Sequence, residues 1–144
     1  MSEMFDLTGK VAIVPGGTGG IGRAIAVGMA QHGADIVVAA RNEQKTAAVV
    51  KEIEALGRRC LGVRCDVLER DDILNTVDRA VRELGSLNIL VNNSGIGHGG
   101  EPAQTVTLET WHRVIDTNLT SVFLFSQAAH PMMVKAGGGK IINI

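Results

Sequence analysis

The sequence contains no tyrosine. No phenol is therefore available as an acid or base anywhere in these 144 residues. It has no excess of either charge, with 14 Lys and Arg against 15 Asp and Glu and a net charge of -1. The two signs are interspersed, so nothing draws the chain toward nucleic acid or anionic lipid. No apolar run approaches the ~18 residues that a membrane helix needs. The opening MSEMFDLTGK lacks the basic-then-apolar pattern of an export signal. Only two cysteines occur, Cys60 and Cys65, without metal or redox spacing. They read as reduced core residues of a cytoplasmic protein, and no metal site is expected.

What is present is a globular composition, 45% hydrophobic and 20% charged. The length suits one domain that buries roughly two thirds of the surface its unfolded chain exposes. There are 18 glycines, and they cluster.

Short apolar runs alternate with helical patterns. The runs are Val11–Val14, Ile36–Ala40, Cys60–Val63, Ile89–Val91 and Lys140–Ile144. Their β-branched content and lack of polar alternation suit strands buried on both faces. Ile21, Ala24, Ile25, Gly28 and Met29 stripe a first helix, stopped by Gly33. Asn42 caps a second, which buries Val49, Ile53 and Leu56 and ends at Gly57. Ile73, Val77, Ala80 and Leu84 stripe a third, ended by Gly85. Leu108, Trp111, Ile115, Leu119 and Val122 stripe a long fourth stretch from about residue 107 to 136. The order βαβαβαβαβ implies an α/β fold, a parallel sheet with helices on both faces.

VPGGTGGIGRAIA joins the first strand to the first helix. Gly16, Gly20 and Gly22 fall in the pattern G-x-x-x-G-x-G. Gly16 permits a tight turn, Gly20 lets backbone N–H groups approach a pyrophosphate, and Gly22 lets the helix pack close to the sheet. The helix N-terminus favours an anion there, and Thr18 adds a hydroxyl. A glycine-rich turn without ligand is the alternative reading. In dinucleotide folds an acid at the end of the second strand takes the ribose 2′-OH. Here the segment is Ala39-Ala40-Arg41-Asn42. Arg41 suits a 2′-phosphate, so NADP(H) is expected over NAD(H). An ordinary solvated arginine is the other reading.

With these motifs in order the chain resembles the short-chain dehydrogenase/reductase family over its whole length. The family's T-G-x-x-x-G-I-G appears as Pro15-Gly16 through Gly20-Ile21-Gly22, its Asp-Val as Asp66-Val67, and its N-N-A-G as Asn92-Asn93-Ser94-Gly95. Its W-x-x-V/I-x-x-x-N-L runs from Trp111 to Asn118-Leu119, and its fifth strand matches KIINI. The resemblance implies a Rossmann-like doubly wound parallel sheet ordered 3-2-1-4-5. It implies that Asp66 accepts from the adenine amino group and that the Val67 backbone lines the adenine. Asn93 and Gly95 would lie against the ribose and brace the central strand. Asn118 would kink its helix and hold a water in the proton relay. Asp66 as a turn cap, and Asn118 as a helix-kinking residue alone, are the plainer readings. The opening FDLTGKVAIV is similar to sugar-acid dehydrogenases and 3-oxoacyl reductases of the family.

The sequence departs from the family in three places. Pro15 replaces threonine, which removes a hydroxyl and an N–H. Ser94 replaces alanine. The family's catalytic serine and Tyr-x-x-x-Lys pair, which follow the fifth strand, have no counterpart here. The expectation is therefore an oxidoreductase acting on a carbonyl or alcohol, represented by a dinucleotide-binding domain over residues 1–144 that is truncated after strand 5. As given it would be inactive. A non-catalytic NADP(H)-binding remnant and an assembly module remain alternatives. The resemblance also implies a homo-oligomer, with an interface on the helix carrying Phe123 and Phe125. His98, in the IGHGGEP loop, reads as a solvated histidine.

Overall fold

The computed structural model describes residues 3–144. Met1 and Ser2, which begin the stretch read as lacking an export signal, lie outside the described residues. Five strands, β1 (Val11–Pro15), β2 (Asp35–Ala40), β3 (Cys60–Arg64), β4 (Ile89–Asn92) and β5 (Lys140–Asn143), form one sheet ordered β3-β2-β1-β4-β5. Every pairing is parallel. The winding reverses between β1 and β4, so the expected α/β doubly wound order is what the chain adopts.

Helices α1 (Gly20–Gln31), α2 (Glu43–Ala55), α3 (Arg70–Arg79), α4 (Leu108–Ile115) and α5 (Ser121–Lys135) connect the strands. Alternate residues of β1 and β2 feed two cores. Ala12, Val14, Ile36 and Val38 pack with Ala26 and Ala30 of α1 and Val49 and Ile53 of α2. Val11, Ile13, Val37 and Ala39 pack on the opposite face with Ile73 and Val77 of α3 and Phe125, Ala129 and Met133 of α5. The continuous apolar runs of β1, β2 and β4 follow from this two-sided burial.

The helix ends match their sequence signals. Asn42 Oδ1 accepts the Lys45 N–H at 2.9 Å and caps α2. Gly33, Gly57 and Gly85 follow their helices with positive φ, which a side chain would strain.

Four packing expectations need correction. In α1 the buried residues are Gly22, Ala26 and Ala30, while Ile21 points outward. This helix lies so close to the sheet that small residues make the contact. Leu56 is exposed at the end of α2. Leu108, Trp111 and Leu119 are exposed too, and the buried stripe of the long stretch is Ser121, Phe125, Ala129 and Met133. Phe125 thus faces the sheet, and only Phe123 is outward. Helix α4 has no buried residue, so its apolar stripe is exposed before the π-helical turn at Asp116–Thr120 begins, and the buried face runs from Thr117 of that turn into α5. Finally β5, read as a buried strand, is exposed throughout.

One buried charge cluster has no sequence signal. Asp35 opens β2 and is 3% exposed. Its carboxylate accepts from Arg58 Nη2 at 2.6 Å, Arg59 Nε at 2.8 Å and the Arg59 backbone N–H at 3.1 Å. Arg59 Nη2 also reaches the Leu84 carbonyl. Burial alone would raise the Asp35 pKa, but the bonds from Arg59 and then Arg58 outweigh it and hold the group below its ordinary value. Asp35 therefore contributes its stability above about pH 4, and that contribution is lost as pH falls through the lower folded value. Asp35→Asn is expected to cost about 2 kcal/mol at pH 7 in urea titrations, and less at pH 3. An equal loss at both pH values would show that the charge is not what matters.

Candidate dinucleotide cleft

The cleft forms where the carboxyl ends of β1, β2 and β4 meet the turns that leave them. Gly16 turns the chain out of β1 with φ +71, and its N–H donates to the Ala39 carbonyl at 2.8 Å. Gly20 has φ +50 and opens α1 with nothing within 4 Å of where a Cβ would stand. Gly22, two residues further along the first turn of α1, is different. A Cβ there would overlap both Asn93 Nδ2 and the Gly16 carbonyl oxygen. Asn93 Nδ2 donates to the Pro15 and Gly16 carbonyls at 3.3 and 3.2 Å. Asn93 thus pins the glycine loop to the end of β4 from behind. Pro15 costs this brace nothing, because the brace uses carbonyls and not an N–H.

A cleft of ≈ 710 Å³ lies in front of the loop, lined by Gly16 and Thr18, the β2 end from Ala39 to Asn42, and Cys65 to Leu68 after β3. Ser94, Gly95 and Ile96 close it from the β4 side, and Lys45, Arg113 and Thr117 from helices. A volume of that order suits a small-molecule site. Of the residues expected at the site, Gly16, Thr18, Arg41, Asp66, Val67 and Gly95 line it. Gly20, Ile21, Gly22, Asn93 and Asn118 do not; Gly22 and Asn93 shape the loop from behind, and Ile21 is directed to solvent.

Asp66 sits in a hydrogen-bonded turn. Its Oδ1 accepts the Leu68 N–H at 3.0 Å, and its carbonyl accepts the Glu69 N–H at 3.0 Å. It does cap the following turn, and it lines the cleft as well. Arg41 and Lys45 are exposed, and among the described residues their side chains make no ion pair or hydrogen bond. Asn118 lies in the π-helical turn. Its amide is engaged at both ends, accepting the Ile96 N–H at 2.8 Å and donating to the Ile96 carbonyl at 2.9 Å. It thereby fixes the loop that follows Gly95. Cys65 is buried, and burial pushes its thiol up to about 11. It is a neutral wall residue. His98 is exposed in its loop.

Sequence reasoning missed Lys45, Leu68, Ile96, Arg113 and Thr117 as parts of the cleft wall. A signal existed for Lys45, which lies in the first turn of α2 just after Arg41 and the Asn42 cap. Arg113 and Thr117 stand one helical turn apart on the long helix. No signal existed for Ile96, whose place depends on the Asn118 clamp.

A nicotinamide dinucleotide fits this donor set. Gly16 lines the cleft at the end of β1, and Arg41 and Lys45 line the same cleft with side chains that make no ion pair or hydrogen bond among the described residues. Among the described residues no group of three or more His, Cys, Asp or Glu could hold a metal ion, and no helix is long and apolar enough to cross a membrane.

Residues 10–144 match the family model described as short chain dehydrogenase. The 2-dehydro-3-deoxy-D-gluconate 5-dehydrogenase of Escherichia coli K12 is 43% identical over 141 residues, covering 97% of this chain and 54% of the relative. Among solved structures, 7α-hydroxysteroid dehydrogenase complexed with NADH and 7-oxo glycochenodeoxycholic acid superposes with a TM-score of 0.93 at 37% identity, over 100% of this chain and 56% of the other. A metagenomic short-chain oxidoreductase in complex with NADP gives a TM-score of 0.89 at 37% identity, over 95% and 62%. The chain spans about half the length of the curated relatives it matches.

Proposed function

The chain belongs to the short-chain dehydrogenase family, and from that membership we propose that residues 1–144 are the nucleotide-binding portion of an NAD(P)-dependent oxidoreductase acting on a carbonyl or alcohol. The observation that carries this reading is the cleft itself. The glycine turn, Thr18, Asp66 with Val67, and Gly95 line one cavity at the point where the sheet's winding reverses. Gly16, Thr18, Gly20 and the Ile21 and Gly22 amides would hold the pyrophosphate at the N-terminus of α1. Asp66 and Val67 would meet the adenine, and Asn93 and Gly95 would support the adenosine ribose. The bound nicotinamide supplies the hydride chemistry. Asn118, with its amide committed to Ile96, would hold a relay water only through the backbone of its π-helical turn.

NADP(H) is favoured over NAD(H). The end of β2 offers no carboxylate to a 2′-OH and offers the unpaired Arg41 instead. These 144 residues contain no tyrosine, so they do not themselves offer the family's phenolic acid, and the reading assigned to them is cofactor binding. Phe123, Trp111 and Leu119 are exposed on the long helix, which favours a homo-oligomer of the enzyme.

Titration calorimetry of the chain with NADPH and NADH tests the reading. NADPH is expected to bind at least ~10-fold more tightly, the equivalent of one charge-assisted contact. No heat with either dinucleotide would overturn the cofactor assignment. Equal affinities would overturn the preference alone.

A further inference from the structure

Asp66 is held at three of its polar points. Leu68 N–H takes Oδ1, Glu69 N–H takes the carbonyl, and the Asp66 N–H donates to Asp72 Oδ2 at 2.8 Å. One oxygen, Oδ2, has no partner among the described residues. Asp72 does not line the cleft. It sits in the first turn of α3, where the helix dipole favours a carboxylate. Arg64 Nη1 reaches the same Oδ2 at 3.5 Å, and the Asp72 carbonyl accepts from Thr76 Oγ1 at 2.7 Å. Asp72 is thus anchored to a helix whose Ile73 and Val77 are buried under the sheet. It passes that rigidity to the Asp66 backbone through one charge-assisted bond.

We propose that Asp72 is a positioning residue for purine recognition: it fixes the Asp66 backbone so that the remaining Asp66 oxygen meets the 6-amino group of the bound nucleotide. This rests on the cofactor reading above. The Asp66 and Asp72 carboxylates, six residues apart, would otherwise repel. The Asp66 N–H links the two residues directly, and Arg64 offsets the charge on Asp72.

The test compares NADPH with its hypoxanthine analogue, which has an oxygen in place of the 6-amino group and keeps the 2′-phosphate. The wild-type chain is expected to prefer NADPH ~10-fold, the value of a hydrogen bond to a charged group. Asp72→Ala is expected to reduce that preference to ~2-fold or less, because a displaced Asp66 no longer selects the amine. Asp72→Asn keeps an acceptor for the Asp66 N–H and is expected to retain most of it. Asp72→Ser, whose hydroxyl is too short to reach but which suits a first helical turn, gives the same readout should Asp72→Ala not fold. A general loss of stability would weaken both ligands alike and leave the ratio unchanged, and an unchanged ratio in the Ala or Ser variant overturns the inference. If the wild type binds NADPH and does not discriminate, the inference also fails while the cofactor reading stands. If it binds neither ligand, the cofactor reading itself has failed.

Discussion

Gly22→Ala is expected to abolish dinucleotide binding and to destabilise the fold by about 3 kcal/mol, the upper range for an overpacked core site. The added methyl would overlap Asn93 Nδ2 and the Gly16 carbonyl oxygen together. Neither can yield cheaply. Asn93 is tied to Pro15 and Gly16 by two hydrogen bonds, and the Gly16 carbonyl belongs to the turn that makes the cradle. Moving either one moves the loop that would receive the pyrophosphate. The cost is therefore paid twice, once in packing and once in the shape of the anion site. Gly28→Ala supplies the control. It lies in the same helix, with nothing within 4 Å of its would-be Cβ. That change is expected to stabilise the chain by about 0.5–1 kcal/mol, the ordinary gain in helix propensity, and to leave binding alone. Thermal unfolding and NADPH titration on the two variants check this. A Gly22→Ala chain that binds like the wild type would mean that helix–sheet proximity does not shape the site.

The contrast between those two glycines also marks what a sequence can and cannot reveal. The glycine loop and the helix stops were readable because each depends on local chemistry, whereas the strand order followed from the resemblance to the family. Val11–Val14 and Ile36–Ala40 are apolar without alternation since both faces are covered. Asn42 caps its own helix, and Gly33, Gly57 and Gly85 supply their own φ. The failures share another cause. The α1 stripe was assigned to large residues such as Ile21, although a helix pressed onto a sheet is packed by Gly22, Ala26 and Ala30. The fourth stripe follows the large apolar residues Leu108, Trp111 and Leu119, although all three are exposed and the buried face is carried by Thr117, Ser121, Phe125, Ala129 and Met133. Asp35, Ile96 and Asp72 owe their roles to partners 24, 22 and 6 residues away, and only the folded chain brings such pairs together.

At the ribose corner, Arg41→Asp is expected to reverse the cofactor preference. NADPH affinity should fall ~100-fold, about 3 kcal/mol, through loss of a charge-assisted bond and gain of a repulsive carboxylate. NADH should bind more tightly than before, since the new carboxylate can accept from a free 2′-OH. The unpaired Arg41 makes this reading specific: its guanidinium has no internal ion pair to satisfy, so removing it should leave the fold intact. Arg41→Ala is expected to lose only ~10-fold for NADPH. Lys45 still lines the cleft beside it and would retain part of the attraction. Both cations are exposed, so the NADPH affinity of the wild type should weaken with salt more steeply than that of Arg41→Asp. The dissociation constants of both dinucleotides, measured at low and high salt for the three proteins, decide the matter. If Arg41→Asp leaves the NADPH-to-NADH ratio unchanged, the 2′-phosphate is not met at the end of β2, and the preference must be carried elsewhere in the cleft.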